Sequence, residues 1–176
     1  MFKVLKRFNF GQRMMKWLEI LFKKTKSSIV TNGYQSRYFW VTRGTRQGDS
    51  LSSSIYVLQN EPFLARIRKN QLVEGIVLGP PENRQEIKVA GFVDDTTALL
   101  NNRSSLENFF SDVVKFEKVS GSKLNREKTI GLVSCPEKET VVQGVKLIYG
   151  NDELLGAPVG AKINTQSIWD GLVKKM

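Results

Sequence analysis

The run from Ile87 to Leu100, IKVAGFVDDTTALL, constrains this chain more than any other stretch. Ile87, Val89, Gly91 and Val93 share one face of an extended strand, and Lys88, Ala90 and Phe92 the other. Thr96 to Leu100 reads as a returning strand, so Asp94 and Asp95 fall at or near a hairpin turn. Inside a regular strand the two carboxylates would point to opposite faces; at a turn the alternation breaks and both can project from one end. Two hard oxygen ligands side by side suit Mg²⁺, which takes one or two carboxylates and leaves its other positions to water or phosphate. Taken alone, the dipeptide is better explained as turn chemistry. The other motifs reverse that balance.

Composition narrows the chemistry. The chain has 176 residues, enough for one domain with a real core, and a 40% hydrophobic content that describes a folded chain. It contains no histidine, which removes His-based nucleophile activation, proton shuttling and metal ligation. Its single cysteine, Cys135, excludes an internal disulfide and a cysteine zinc site. Carboxylate, lysine and hydroxyl chemistry remains. A formal charge of +10 favours a polyanionic partner, of which nucleic acid is the commonest; a merely basic soluble protein has the same charge. No run is apolar enough to span a membrane, and no signal peptide is evident, so an intracellular setting (nucleus or cytoplasm) is expected.

Phe2, Val4, Leu5 and Phe8 have helical spacing without a capping residue before them, and Gly11 separates them from a second amphipathic helix ending at Lys23-Lys24. Ser28 to Thr31 and Tyr34 to Thr42 read as strands around an Asn32-Gly33 hairpin turn. A helix to about Asn70 should turn Ile55, Leu58, Leu64 and Ile67 inward, with Pro62 kinking or breaking it. Val73 to Leu78 reads as a strand closed by Gly79-Pro80-Pro81. Ser104 and Glu107 form a capping box for a helix carrying Phe109, Phe110 and Phe116, whose spacing favours core packing over base stacking. Further strands are expected at Lys128 to Ser134 and Val145 to Tyr149, a glycine-rich turn at Leu155 to Gly160, and a helix from Thr165. No domain boundary is visible. Hairpins with helices packed on one side make an α+β fold.

Four segments together resemble the second half of the reverse-transcriptase palm of non-LTR (LINE-type) retrotransposons. Arg43-Gly44-Thr45-Arg46-Gln47-Gly48-Asp49-Ser50-Leu51-Ser52 resembles R-G-x-R-Q-G-x-P-L-S, and Phe92-Val93-Asp94-Asp95 resembles [FY]-x-D-D. Ser120 to Thr129 resembles S-G-x-K-x-N-x-x-K-[ST], and Leu155-Gly156 a late L-G turn. The first two at this separation carry the resemblance; the last is weak.

The resemblance implies a partial polymerase palm, an antiparallel sheet with packed helices, as one incomplete domain over residues 1–176. It implies RNA-templated DNA synthesis, with an RNA template, a DNA primer and a deoxynucleotide as partners. Two Mg²⁺ ions serve the family reaction, and Asp94 and Asp95 are the implied metal ligands and catalytic pair. Gln47 and Gly48 would lie against the nucleotide and template base. Arg43 and Arg46 offer planar donors to phosphate, and Lys128 would approach the departing pyrophosphate; solvated loop residues would look the same in sequence. Asn125 reads as a turn residue. Ser50 and Ser53 stand where the family usually has proline, and Val93 where alanine is commoner. The family's first palm motif, with its metal-holding aspartate, has no counterpart ahead of Phe2, and the fingers and thumb have none either, so the chain by itself is expected to be inactive. Two alternatives stand beside this reading: a non-catalytic nucleic-acid-binding remnant, and an incomplete gene model of a degenerate retroelement.

Overall fold

Apolar residues three and four apart in the first twenty-two residues favour two helices that share a core. The computed structural model describes residues 1–41, 48–136, 140–154 and 157–160. It forms two compact units, Met1–Asp112 and Val113–Met176. The α+β class holds: four helices and thirteen short strands are assigned among the described residues.

In the first unit, α1 (Phe2–Arg7) follows Met1 without a side-chain cap, and Gly11 begins α2 (Gln12–Phe22). Leu5, Met15 and Leu18 are buried together with Ile55 of α3 (Ser52–Lys69), and Phe2, Phe10, Phe22, Leu51 and Leu58 pack around them. The helix α3 runs through Pro62 as one element. Proline in a helix interior costs about 3 kcal/mol, and burial of Ile55, Phe63, Leu64 and Ile67 on either side of it offsets that loss. Phe63, absent from the expected inward set, contacts the Phe109 ring at 6.1 Å.

Between α2 and α3 lies a two-stranded ribbon built from β1 (Lys26–Ser27), β2 (Val30–Thr31), β3 (Tyr34–Gln35) and β4 (Phe39–Trp40). Asn32 and Gly33 both take positive φ, 49° and 80°, as a type I′ turn requires. The expected continuous return strand from Tyr34 is interrupted, and its last residue, Thr42, lies outside the described residues. Lys26 pairs with Trp40 and Ser27 with Phe39, but Val30 pairs with Gln35 and Thr31 with Tyr34. The return strand has gained one residue, leaving Arg37 and Tyr38 against Ser28 as a bulge.

Beyond α3 come β5 (Ile76–Leu78) paired with β6 (Gln85–Ile87), and β7 (Val89–Phe92) paired with β8 (Asp95–Ala98), both antiparallel. A Gly75–Leu100 bridge and a Leu99 N–H to Lys88 carbonyl bond of 2.9 Å link the two hairpins at their bases. The next helix, α4 (Arg103–Ser120), is capped by Asn102, whose side-chain oxygen accepts the Ser105 N–H at 2.8 Å. This corrects the expected Ser104 cap by two residues. The Ser105 hydroxyl is buried and accepts the Glu74 N–H instead. Phe110 is buried and in ring contact with Phe109, in line with the core reading of that helix.

In the second unit, β9 (Ile130–Leu132) lies parallel to β11 (Val145–Ile148), which pairs antiparallel with β10 (Val141–Val142). The parallel pair departs from an all-antiparallel sheet; the β10–β11 hairpin, turning at Gln143-Gly144, folds its second strand back beside β9. β12 (Asn151–Leu154) and β13 (Ala157–Gly160) form a hairpin, so residues 157–160 are strand where a glycine-rich turn was expected. Leu155-Gly156 and the helix expected from Thr165 lie outside the described residues.

Asp112 of α4 is 1% exposed. Arg66 donates to its Oδ1 from Nε at 2.9 Å and Nη2 at 2.8 Å, and Asn70 donates to Oδ2 at 2.6 Å. Removing the cation from a buried carboxylate's ion pair raises the cost of keeping its charge buried. Arg66→Ala is therefore expected to destabilise the chain by about 3 kcal/mol. Adding Asp112→Asn should recover part of that loss, because the neutral amide strands no charge. Urea titration of the two variants and the double variant checks both statements.

Candidate active site

The helix α3 fixes the position of the β7–β8 hairpin. Val89 is buried, and a Cβ built on Gly91 would stand 2.9 Å from Leu64 Cδ1. Glycine at this position lets the strand lie close against the helix. The predicted face of Val89 and Gly91 is thus the packed one, and Phe92 on the other face is 62% exposed.

The register pairs Phe92 with Asp95, leaving Val93 and Asp94 as the two turn residues. Val93 takes φ 53° while Asp94 keeps a negative φ, the pattern of a type II′ turn. Glycine is the residue that suits the first position of this turn, and a β-branched side chain there is strained. Asp94 therefore sits at the tip and Asp95 opens the return strand, both exposed. Among the described residues, no group of three or more His, Cys, Asp or Glu is placed to hold a metal ion.

The base of the hairpin is firmly held. The Lys88 ammonium, largely buried, donates to the Asn70 carbonyl at 3.0 Å and pairs with Glu86 at 3.4 Å. The Gly75 N–H donates to Glu86 at 2.7 Å. That bond, aided by Lys88, holds the Glu86 carboxyl below the usual carboxylate range against the opposing effect of burial.

The other predicted site residues are distributed as follows. Arg43, Arg46 and Gln47 lie outside the described residues. Gly48 has φ 86°, and a Cβ there would meet nothing within 4 Å, so its backbone angle explains the glycine in this structure. Asp49 is engaged locally, its Oδ1 accepting the Leu51 N–H at 2.9 Å and its carbonyl the Ser52 N–H at 3.0 Å. Lys128 belongs to the second unit and is exposed in a turn ahead of β9. Asn125 holds that turn: its Oδ1 accepts the Lys128 N–H at 3.2 Å, and its carbonyl accepts the Thr129 N–H at 3.0 Å.

The family described as reverse transcriptase (RNA-dependent DNA polymerase) matches residues 1–147. The chain belongs to the reverse-transcriptase family. It is 26% identical over 129 residues to an uncharacterized 149 kDa protein of transposon TX1 from Xenopus laevis, covering 73% of this chain and 10% of that protein. It is 25% identical over 131 residues to a retrovirus-related Pol polyprotein from a type-2 retrotransposable element of Drosophila melanogaster, covering 73% and 12%. The corresponding type-1 element polyprotein of Popillia japonica is 26% identical over 141 residues, covering 80% and 19%. The chain thus spans less than a fifth of the length of these relatives. The likeness to proteins of transposable and retrotransposable elements agrees with the resemblance its motifs carry. The matched region includes the hairpin of Asp94 and Asp95.

Residues sequence reasoning did not select for the site are Leu64, Lys88 and Asn70, which hold the hairpin rather than reach from it. Leu64 had an apolar-periodicity signal; the tie of Lys88 to a carbonyl eighteen residues away had none.

Strain at Val93 gives a direct test. A strained backbone conformation costs of order 1–3 kcal/mol, and glycine gives back about 0.5–1 kcal/mol through the freer unfolded chain. Val93→Gly is expected to stabilise the chain by about 1 kcal/mol. Val93→Pro, whose ring fixes φ near −65°, should break the turn. Denaturation midpoints of the two variants separate these outcomes.

Proposed function

We propose that this chain is the part of a retrotransposon RNA-directed DNA polymerase that carries the later palm motifs, and that Asp94 and Asp95 are its metal ligands. The observation that carries the reading is the exposed Asp-Asp pair at the end of a hairpin backed by α3, inside a segment matched as reverse transcriptase. Both carboxylates are open to solvent at one end of the ribbon, which suits ligands for Mg²⁺ shared with a phosphate-bearing substrate. When bound, the divalent ions of such an enzyme stabilise the attacking and leaving oxygens of phosphoryl transfer.

The chain's own residues have distinct parts in this reading. Asp94 and Asp95 hold the ions, the turn at Val93 sets where the carboxylates stand, and Gln47 and Gly48 lie against the nucleotide and template base. Arg43, Arg46 and Lys128 meet phosphate. The substrates are an RNA template, a DNA primer whose 3′-hydroxyl attacks, and a deoxynucleotide. The basic charge of +10 supports a polyanionic partner. Among the described residues no helix is long and apolar enough to cross a membrane.

Alone, the chain is proposed to be inactive in synthesis. Clamping two ions needs a further carboxylate across the site, and Asp49, the nearest candidate in the motifs, is already engaged by the Leu51 N–H. A charge pair about 4 Å apart is worth about 4 kcal/mol at an effective dielectric near 20. Losing that much corresponds to roughly three decades in rate. The second reading, a nucleic-acid-binding segment without catalysis, is supported equally by the charge of +10.

Primer extension on an RNA template with Mg²⁺ distinguishes the two. The 176-residue chain should give no product, a chain extended upstream through an aspartate-bearing strand and fingers should extend the primer, and Asp94→Ala in that longer chain should abolish it. Extension by the short chain that Asp94→Ala removes would overturn the proposed dependence on a third carboxylate. If neither chain extends the primer, the binding reading replaces the polymerase one. Nucleic-acid binding by the short chain is expected to be salt-dependent, log affinity falling linearly with log salt. A flat salt series in an electrophoretic or polarisation assay would count against phosphate contact altogether.

A further inference from the structure

The β1–β4 and β2–β3 ribbon is unusual for its exposed surface. Tyr34, Tyr38 and Trp40 are 80%, 67% and 56% exposed, and every residue from Ile29 to Trp40 is open to solvent. An isolated two-stranded ribbon is marginal in water, so this surface calls for an occupant.

The two faces of the ribbon differ. Residues directly opposite share a face, and alternate residues of one strand return to it. Lys26 and Trp40 are opposite, with the Lys26 Nζ 4.5 Å from the Trp40 ring centroid. Ser28 and Val30 follow on that face. Gln35, opposite Val30, donates to the Ser28 hydroxyl at 2.8 Å and to the Tyr38 hydroxyl at 3.4 Å. The bulge at Arg37-Tyr38 thus brings a second aromatic ring to the face that already carries Trp40 and Lys26. The opposite face holds Phe39, Ile29 and Tyr34 with Ser27 and Thr31, and carries no cation from the paired positions.

Charge selects the occupant. From Ile20 to Gly48 the sequence has no acidic residue, while Lys23, Lys24, Lys26, Arg37, Arg43 and Arg46 are all cationic. Aromatic rings interleaved with lysine and arginine match the needs of a single nucleic-acid strand, whose bases stack on rings and whose phosphates meet cations. A cationic stretch of chain without acidic residues attracts a polyanion, exposed rings add base stacking that an acidic protein would not use, and a duplex hides its base faces.

We propose that the Tyr38–Trp40–Lys26 face is a stacking platform for single-stranded nucleic acid, separate from the Asp94–Asp95 hairpin and independent of sequence. Only the identity of the strand as an RNA template rests on the polymerase reading. Tyr38 and the face of Trp40 that Lys26 leaves open stack on bases; Lys26, beside the ring, and Arg37 meet phosphate.

The test uses the full chain with oligouridine in EDTA, where the platform works and polymerase chemistry cannot. Tyr38→Ala and Trp40→Ala should each weaken oligouridine binding about tenfold, with little change for a duplex. Tyr38→Phe and Trp40→Phe, which keep a ring, should stay within about twofold. On the unaltered chain, oligouridine carrying 4-thiouridine should crosslink to Tyr38 or Trp40, which decides the matter even where an alanine variant does not fold. Native affinity in the alanine variants, equal losses for strand and duplex, or crosslinks confined to other residues would overturn the platform. So would sedimentation showing two copies joined through this face that oligouridine does not separate. A failed platform leaves the primer-extension result untouched, and a failed primer extension leaves the platform untouched.

Discussion

Burial of α3 is the interaction on which the first unit depends. One helix contributes Ile55 to the core of α1 and α2, Leu64 to the underside of Gly91, and Phe63 to the ring of Phe109. Its last turns give Arg66 and Asn70 to the buried Asp112 of α4. Three neighbours are thereby held by different faces of one element, and the helix tolerates Pro62 because so much of its surface is fixed by packing. Polar and apolar contacts have different jobs here. The apolar ones supply most of the stabilisation, while the Arg66–Asp112–Asn70 cluster has a demanding geometry that fixes which turn of α3 meets α4.

Elements governed by local chemistry were legible in the sequence. Asn32-Gly33 specified its turn by backbone angle alone, Gly11 separated two amphipathic helices, and the alternating run before Asp94 placed Val89 and Gly91 on the packed face. The bulge at Arg37-Tyr38 was not legible, because a strand pattern records alternation but not how many residues the partner strand spends over the same length. The Ser104 cap failed for a related reason. Asn102 and Ser104 are both good capping residues; Asn102 accepts the Ser105 N–H, and the Ser105 hydroxyl is tied to the distant Glu74 N–H, a contact that no local pattern records. Parallel pairing of β9 with β11 likewise comes from a return path no single segment encodes. Of the site, the hairpin and its aspartates were readable from motif and period together. Its support by Lys88 and Leu64 was not, since both act across the chain.

The hairpin combines a strained tip with a rigid base. Val93 adopts a backbone angle that disfavours a β-branched residue, yet the strands on either side are paired from Val89–Ala98 to Phe92–Asp95. Strain of this kind persists only where the surroundings over-determine the conformation. The Gly91–Leu64 approach, the Lys88 tie to Asn70 and the Gly75–Leu100 bridge are the surroundings in question. Together they leave the tip no slack to relax by shifting register, because a one-residue slip would turn Val89 outward and drive a bulky residue against Leu64.

Exposure of both aspartates has a consequence for how a metal ion would be held on the proposed function. A carboxylate in water keeps its hydration, so a pair of them offers Mg²⁺ modest attraction and no enclosed cage. Magnesium gives up water reluctantly and commonly completes its shell with substrate phosphates. On the proposed function the ligand set would be finished by the polyanion, and metal and nucleic acid would bind with mutual reinforcement. Each raises the affinity of the other by the same factor, as linkage demands. A strand held partly by a surface that needs no metal would bring its phosphates to the carboxylates ahead of the ion. An acid-free, aromatic ribbon elsewhere on the same unit is suited to supply that independent hold, leaving the carboxylates free to engage only when phosphate and metal arrive together.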